Sequence, residues 1–233
     1  MTGPGDAGQG LRPAVVEGMP VQLLVRPGAA RGMVVIHEIF GRTPEIDRVV
    51  ERFADAGYAV AAPQLFQGGL GCIRAALVGA ATGRGPAIDK VRAVRRFLCA
   101  QAGLEERRVG IIGFCFGGGF ALAAGPGFGA VSTNYGAVPH ADAMRGIGPV
   151  IACYGGRDLA LASAPAKLRA RLAPLGVVPE ILEYPTVGHS FLTDGHHPVA
   201  GALSRFLLHL EARDPAVRED AWQKILAFFA REL

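Results

Sequence analysis

Short apolar runs alternate with longer amphipathic stretches along most of this chain. Val21–Val25, Met33–His37, Tyr58–Ala62, Arg108–Gly113, Ala130–Asn134, Pro149–Tyr154 and Pro179–Tyr184 have the length and residue types of strands, and Met33–His37 reads as a buried one. Helices fit between them. Thr43 offers an N-cap with Pro44 at the first helical position, opening a helix that runs to about Ala56 and stops at Gly57. Further helices are expected over Pro86–Gln101, over the run after Cys115, over Ser163–Leu175, near Val199–Leu210 and over Pro215–Arg231. Strands alternating with helices of this length predict an α/β fold with a mainly parallel central sheet, helices on both faces and right-handed connections. Residues 1–20, rich in Gly and Pro, read as a loose lead-in, and Pro63–Gly85 as an irregular stretch. With no repeat and no linker, residues 21–233 form one expected domain, a size that suits the larger α/β kind.

Composition narrows the function classes. Half of the 233 residues are hydrophobic, enough to bury a sizeable core without disulfides or metals, and the 33 glycines favour tight strand-to-helix turns. A net charge of +4 arises from 24 basic against 20 acidic residues, without any basic run. The densest cluster, Arg92, Arg95 and Arg96, alternates with Val91, Val94 and Phe97 and reads as the solvated face of an amphipathic helix, so no nucleic-acid partner is expected. No signal peptide or membrane span is expected, which makes a reduced, cytoplasmic setting the default. The four cysteines contain no C-x-x-C pair and no zinc spacing, so neither metal nor cofactor is expected; Cys99 and Cys153 lie in apolar runs and read as core residues.

The candidate chemistry centres on Gly113-Phe-Cys115-Phe-Gly117, followed by Gly118 and Gly119. It lies between an apolar strand and an apolar helix, the context of a nucleophile elbow, with Cys in place of the usual Ser. The tight turn requires glycine neighbours. It places the thiol at a helix N-terminus, whose dipole favours thiolate, and offers the Phe116 N–H to a developing oxyanion. An elbow nucleophile on an α/β-hydrolase fold takes its acid and then its base from later in the chain. His189, in Gly188-His-Ser-Phe191, directly follows a late strand and is the candidate base, ahead of His196 and His197. Asp158, in Tyr154-Gly-Gly-Arg-Asp158, follows the strand before it; Ser163 is the better cap for the next helix, which leaves Asp158 to orient His189.

On these motifs, together with Val35-Ile-His-Glu-Ile-Phe-Gly41, the chain resembles the dienelactone hydrolase family from about residue 20 onward. The resemblance implies that Glu38 pairs with the resting Cys115 thiol and that the N–H groups of Ile39 and Phe116 form the oxyanion hole. A carboxylate at the end of a buried strand is costly unless paired, so the physical reading of Glu38 agrees. The resemblance also places Phe40, Tyr135 and Phe191 at substrate-binding positions, Tyr135 on the pocket wall. This chain departs from the family after the candidate base: Phe191-Leu-Thr-Asp194 stands where family members carry an arginine that anchors a substrate carboxylate, leaving a more apolar wall. Arg74 and Arg84, in the irregular stretch, are candidate replacements.

The expected activity is hydrolysis of small carboxylic esters or lactones through an acyl-thioester on Cys115, by a monomer or weak dimer with no membrane partner. A thioesterase or general esterase on the same fold, or a non-catalytic ligand-binding member, are the alternatives.

Overall fold

The computed structural model describes residues 10–66, 70–193 and 208–233. Its strands are β1 (Arg12–Val16), β2 (Met19–Leu24), β3 (Arg31–Ile36), β4 (Tyr58–Pro63), β5 (Val109–Phe114), β6 (Val131–Asn134), β7 (Val150–Gly155) and β8 (Glu180–Tyr184). They form one sheet in the order β1-β2-β4-β3-β5-β6-β7-β8. β2 pairs antiparallel with β1 and β4, and every other neighbouring pair is parallel. The described helices are α1 (Pro44–Asp55), α2 (Leu70–Thr82), α3 (Pro86–Ala102), α4 (Phe116–Ala124), α5 (Ala164–Leu172) and α6 (Pro215–Glu232).

The period-2 alternation of strand side chains divides the core between the two faces of the sheet. On β3, Val34 and Ile36 point to one face, where they join Ile88, Val91 and Val94 of α3, Phe120 and Leu122 of α4 and Leu168 of α5. Met33 and Val35 point to the other, where α1 contributes Ile46, Val50 and Phe53, and α6 contributes Trp222, Ile225, Phe228 and Phe229. Phe53 meets Tyr58, Trp222 and Phe229 edge-on at centroid distances of 5.4, 6.1 and 5.9 Å. Each large side chain buried this way contributes about 1.5–3 kcal/mol, which is what docks α1 and α6 on the sheet.

Three expectations are corrected. The lead-in is not loose over its second half: Arg12–Val16 and Met19–Leu24 form a hairpin closed by Glu17 and Gly18, both at positive φ (48° and 74°), as a two-residue turn demands. Pro13 and Pro20 obscure the strand pattern, yet Pro13 is tolerated on an edge strand. The stretch read as irregular contains α2, whose small apolar residues pack on α4 and α3 without a polar face to betray a helical period. Arg95 does not lie on a solvated face; it is buried against the Phe128 ring, 5.0 Å from its centroid, and pairs with Glu106. The helix expected near 199–210 falls almost wholly outside the described residues, as do His196 and His197.

Candidate active site

Parallel strands deliver their C-terminal ends to one edge of a sheet, and the turns leaving β3, β5, β6, β7 and β8 there carry the candidate residues. β5 runs into Cys115, which is the N-cap of α4 at φ 55°, ψ −118° and is half-buried. A non-glycine residue holds such a conformation only when its surroundings enforce it. Here the Cys115 N–H donates to Asn134 O (3.0 Å), its carbonyl accepts from the Gly118 N–H (3.0 Å), and Asn134 Nδ2 donates to Gly113 O (3.0 Å). The flanking glycines are sterically required. A Cβ on Gly113 would lie 1.9 Å from Gly117 O, and one on Gly117 would lie 2.5 Å from His37 O. Phe116 is the first residue of α4, so its N–H is among those without an intrahelical acceptor.

Asp158 follows β7 and His189 follows β8, and the two meet with Nδ1 2.6 Å from Oδ2. Both are buried, at 1% and 5% exposure. Asp158 opens a short 3-10 turn without a side-chain capping bond, so its carboxylate serves His189 rather than the turn. Burial pulls the His189 pKa down, but the hydrogen bond to the Asp158 carboxylate and the neighbouring Cys115 sulfur outweigh it and push it up to about 10. The loop is pinned by backbone bonds from Gly188 N–H to Ala212 O and from His189 N–H to Leu208 O, both 2.8 Å, and Trp222 Nε1 donates to Leu192 O (3.2 Å).

Glu38 follows β3 and is 5% exposed. Its Oε1 accepts from Thr193 Oγ1 (3.0 Å) and Ser190 Oγ (3.2 Å), and Thr193 Oγ1 lies 3.0 Å from the Tyr135 hydroxyl. Ser190 and Thr193 therefore tie the histidine loop to the carboxylate, a role the sequence reading missed. The pairs are separated by 152 and 155 positions, so no local pattern announces them. Thr193 and Leu192, expected to form an apolar wall, are buried at 1% and 0% beneath the site. Tyr135 and Phe191, expected to contact substrate, are also buried at 0% and 2%: the Tyr135 ring packs 4.9 Å from the His189 ring and 5.9 Å from that of Phe191. Burial, reinforced by the Glu38 charge, raises the Tyr135 pKa and keeps the phenol neutral. Of the expected substrate-binding residues only Phe40 faces solvent, at 48% exposure, beside Ile39 at 37%. Arg74 and Arg84 are exposed.

Among the described residues, no group of three or more His, Cys, Asp or Glu side chains could hold a metal, and no helix is long and apolar enough to cross a membrane.

Comparison with known proteins places the chain. The profile of the dienelactone hydrolase family matches residues 21–233. A carboxymethylenebutenolidase of Rhodococcus opacus is 31% identical over 240 residues, which cover 88% of this chain and 83% of the relative. A dienelactone-hydrolase-like promiscuous phosphotriesterase from metagenomic libraries superposes with a TM-score of 0.73 at 21% identity, covering 95% of this chain and 98% of the other. A fungal esterase from Rhizomucor miehei superposes with a TM-score of 0.64 at 12% identity, covering 95% of this chain and 82% of the other. These two likenesses speak for the α/β-hydrolase fold, and the sequence match over most of the chain speaks for more: this protein belongs to the dienelactone hydrolase family of ester and lactone hydrolases.

Proposed function

We propose that this chain hydrolyses small carboxylic esters or lactones by covalent catalysis, with Cys115 as nucleophile, His189 as general base and acid, and Asp158 as the group that orients and charges the imidazole. The supporting observation is the convergence of three strand ends: a cysteine in an elbow at φ 55°, beside a histidine whose Nδ1 lies 2.6 Å from a buried carboxylate. The Cys115 sulfur adds to the ester carbonyl, and the oxyanion lodges against the N–H groups of Ile39 and Phe116. Collapse breaks the acyl–oxygen bond, the alkoxide or enolate leaves with the His189 proton, and a thioester remains. His189, now neutral, takes a proton from water, which attacks the thioester and releases the acid and the Cys115 sulfur.

The test is alkylation. Iodoacetamide should label Cys115 faster than Cys99 or Cys153, which are buried and whose thiols burial pushes up in pKa. Activity on an activated aryl ester should fall in step with labelling, and Cys115→Ala should lose ~10³-fold or more in turnover while keeping its fold. Full activity with Cys115 quantitatively alkylated overturns the reading.

A thioesterase or general esterase activity is the second reading. One observation favours it: the stretch Phe191-Leu-Thr-Asp194, where family members carry a carboxylate-anchoring arginine, has none, and the Thr193 hydroxyl within it is directed to Glu38.

A further inference from the structure

His37 takes no part in the steps above, yet it is buried with no accessible surface directly behind Glu38. Both ring nitrogens are engaged. Nδ1 lies 2.6 Å from the Glu38 carbonyl oxygen, and Nε2 lies 3.0 Å from the Leu65 amide nitrogen. A carbonyl can only accept and an amide N–H can only donate, so the ring is held as the neutral tautomer with its proton on Nδ1. Burial agrees, lowering the pKa to about 4 against the opposing pull of the Glu38 carbonyl. The Glu38 carbonyl also accepts from the Gly41 N–H at 3.1 Å, so both of its lone pairs are used.

The peptide group that follows is rigid. In a trans peptide the C=O of one residue and the N–H of the next point in opposite directions, and the described chain contains no cis bond. Holding the Glu38 oxygen toward His37 and Gly41 therefore turns the Ile39 N–H away from them. His37 reaches the second donor through packing. Its ring meets Phe66 at 5.1 Å, and Phe66 meets Phe116 at 5.2 Å. The start of α4 is pressed against the same segment, since even a methyl group at Gly117 would collide with the His37 carbonyl.

We infer that His37 is a positioning residue for the oxyanion site: it aims the Ile39 N–H by clamping the Glu38 carbonyl to Leu65, and it sets the seat of Phe116 through Phe66. This rests on the proposed reading of Ile39 and Phe116 as oxyanion donors. Because the clamp acts on charge that develops only as the carbonyl is attacked, its loss should appear in kcat rather than in KM.

Three variants separate positioning from mere packing. His37→Phe keeps a ring beside Phe66 but removes both hydrogen bonds; kcat on an activated ester should fall ~10- to 100-fold, with KM changed by less than about two-fold. The rate of Cys115 alkylation by iodoacetamide should stay at the wild-type value, because displacement of iodide builds no oxyanion. His37→Gln, which can donate and accept from one side chain, should recover most of the lost kcat. If His37→Phe does not fold, Phe66→Leu leaves both His37 hydrogen bonds in place and removes the ring that links His37 to Phe116, and kcat should fall ~3- to 10-fold with alkylation unchanged. Wild-type kcat in His37→Phe, a parallel loss of alkylation rate, or no difference between the Gln and Phe variants overturns the inference. If alkylating Cys115 leaves activity intact in the wild type, it is the covalent reading that fails.

Discussion

Replacing Thr193 with valine keeps the shape of the side chain and deletes one hydroxyl that is 1% exposed. That hydroxyl has one proton to give. Glu38 Oε1, 3.0 Å away, is a better acceptor than the Ser190 carbonyl at 3.4 Å, so Thr193 donates to Glu38 and accepts from the Tyr135 hydroxyl at 3.0 Å. Thr193→Val therefore removes one hydrogen bond to a charged group, about 1.5–3 kcal/mol, and one neutral bond of about 1 kcal/mol. It also leaves the Tyr135 hydroxyl without its Thr193 acceptor inside a residue with no accessible surface. The apolar gain of a methyl group offsets about 1 kcal/mol of this, for a net destabilisation of about 1.5–3 kcal/mol. Urea unfolding at pH 7, followed by circular dichroism, should show the midpoint lowered at constant slope, with Thr193→Ser much closer to wild type. A double cycle with Glu38→Gln should show coupling of about 1 kcal/mol or more. A loss below about 0.5 kcal/mol, or a serine variant as damaged as the valine one, would mean that the hydroxyl network carries no weight.

Gly117→Ala should destabilise the protein by about 1–3 kcal/mol or prevent folding, because its Cβ would sit 2.5 and 2.6 Å from the His37 and Ile36 carbonyl oxygens; an unchanged melting temperature refutes the elbow geometry. The His189 pKa is raised from 6.5 to about 10, so the folded state holds that proton more tightly than the unfolded chain. The resulting stability should be complete below about pH 6.5 and lost as pH rises through about 10, with wild type losing on the order of 3 kcal/mol more than His189→Gln between pH 7 and 10. Equal pH dependence in the two would remove the ion-pair account. For a matched pair of neutral and carboxylate-bearing esters, kcat/KM should be at least as high for the neutral one. A strong preference for the anion that disappears in Arg74→Ala or Arg84→Ala would show that an arginine anchor had moved to α2 or the turn after it.

The catalytic candidates were legible because each obeys a local rule. Cys115 lies between glycines at a strand-to-helix junction, and the steric distances at Gly113 and Gly117 are the physical content of that rule. His189 and Asp158 follow strands whose apolar runs are easily read, and chain order then assigns them. Glu38 stood out as a carboxylate among apolar neighbours. The supporting groups were illegible for the opposite reason. Ser190, Thr193 and Tyr135 acquire their tasks from contacts across the fold, and Tyr135 looks like a wall residue until its burial under His189 is known. Likewise α2 lacks a polar face, and Pro13 obscures the first strand of the N-terminal hairpin, so packing on α4 and α3 and pairing with β2, rather than propensity, decide them.

Three strand-end residues, Cys115, Tyr135 and Ser190, adopt φ of 55°, 41° and 56°, at a cost on the order of 1–3 kcal/mol each. The first two are held by backbone bonds to the neighbouring strand end: Cys115 N–H to Asn134 O at 3.0 Å and Tyr135 N–H to Cys153 O at 2.8 Å. Neither bond involves a site side chain. The elbow is therefore set by the sheet and its glycines, and the thiol can be exchanged without releasing it. The histidine loop differs. Ser190 gives its hydroxyl to Glu38, and Thr193 does the same, so that loop and the turn after β3 hold each other through side chains. Substitutions at Cys115 should then report chemistry with the scaffold intact, whereas substitutions at Glu38, Ser190 or Thr193 shift two loops at once and must be read against stability before their rates are interpreted.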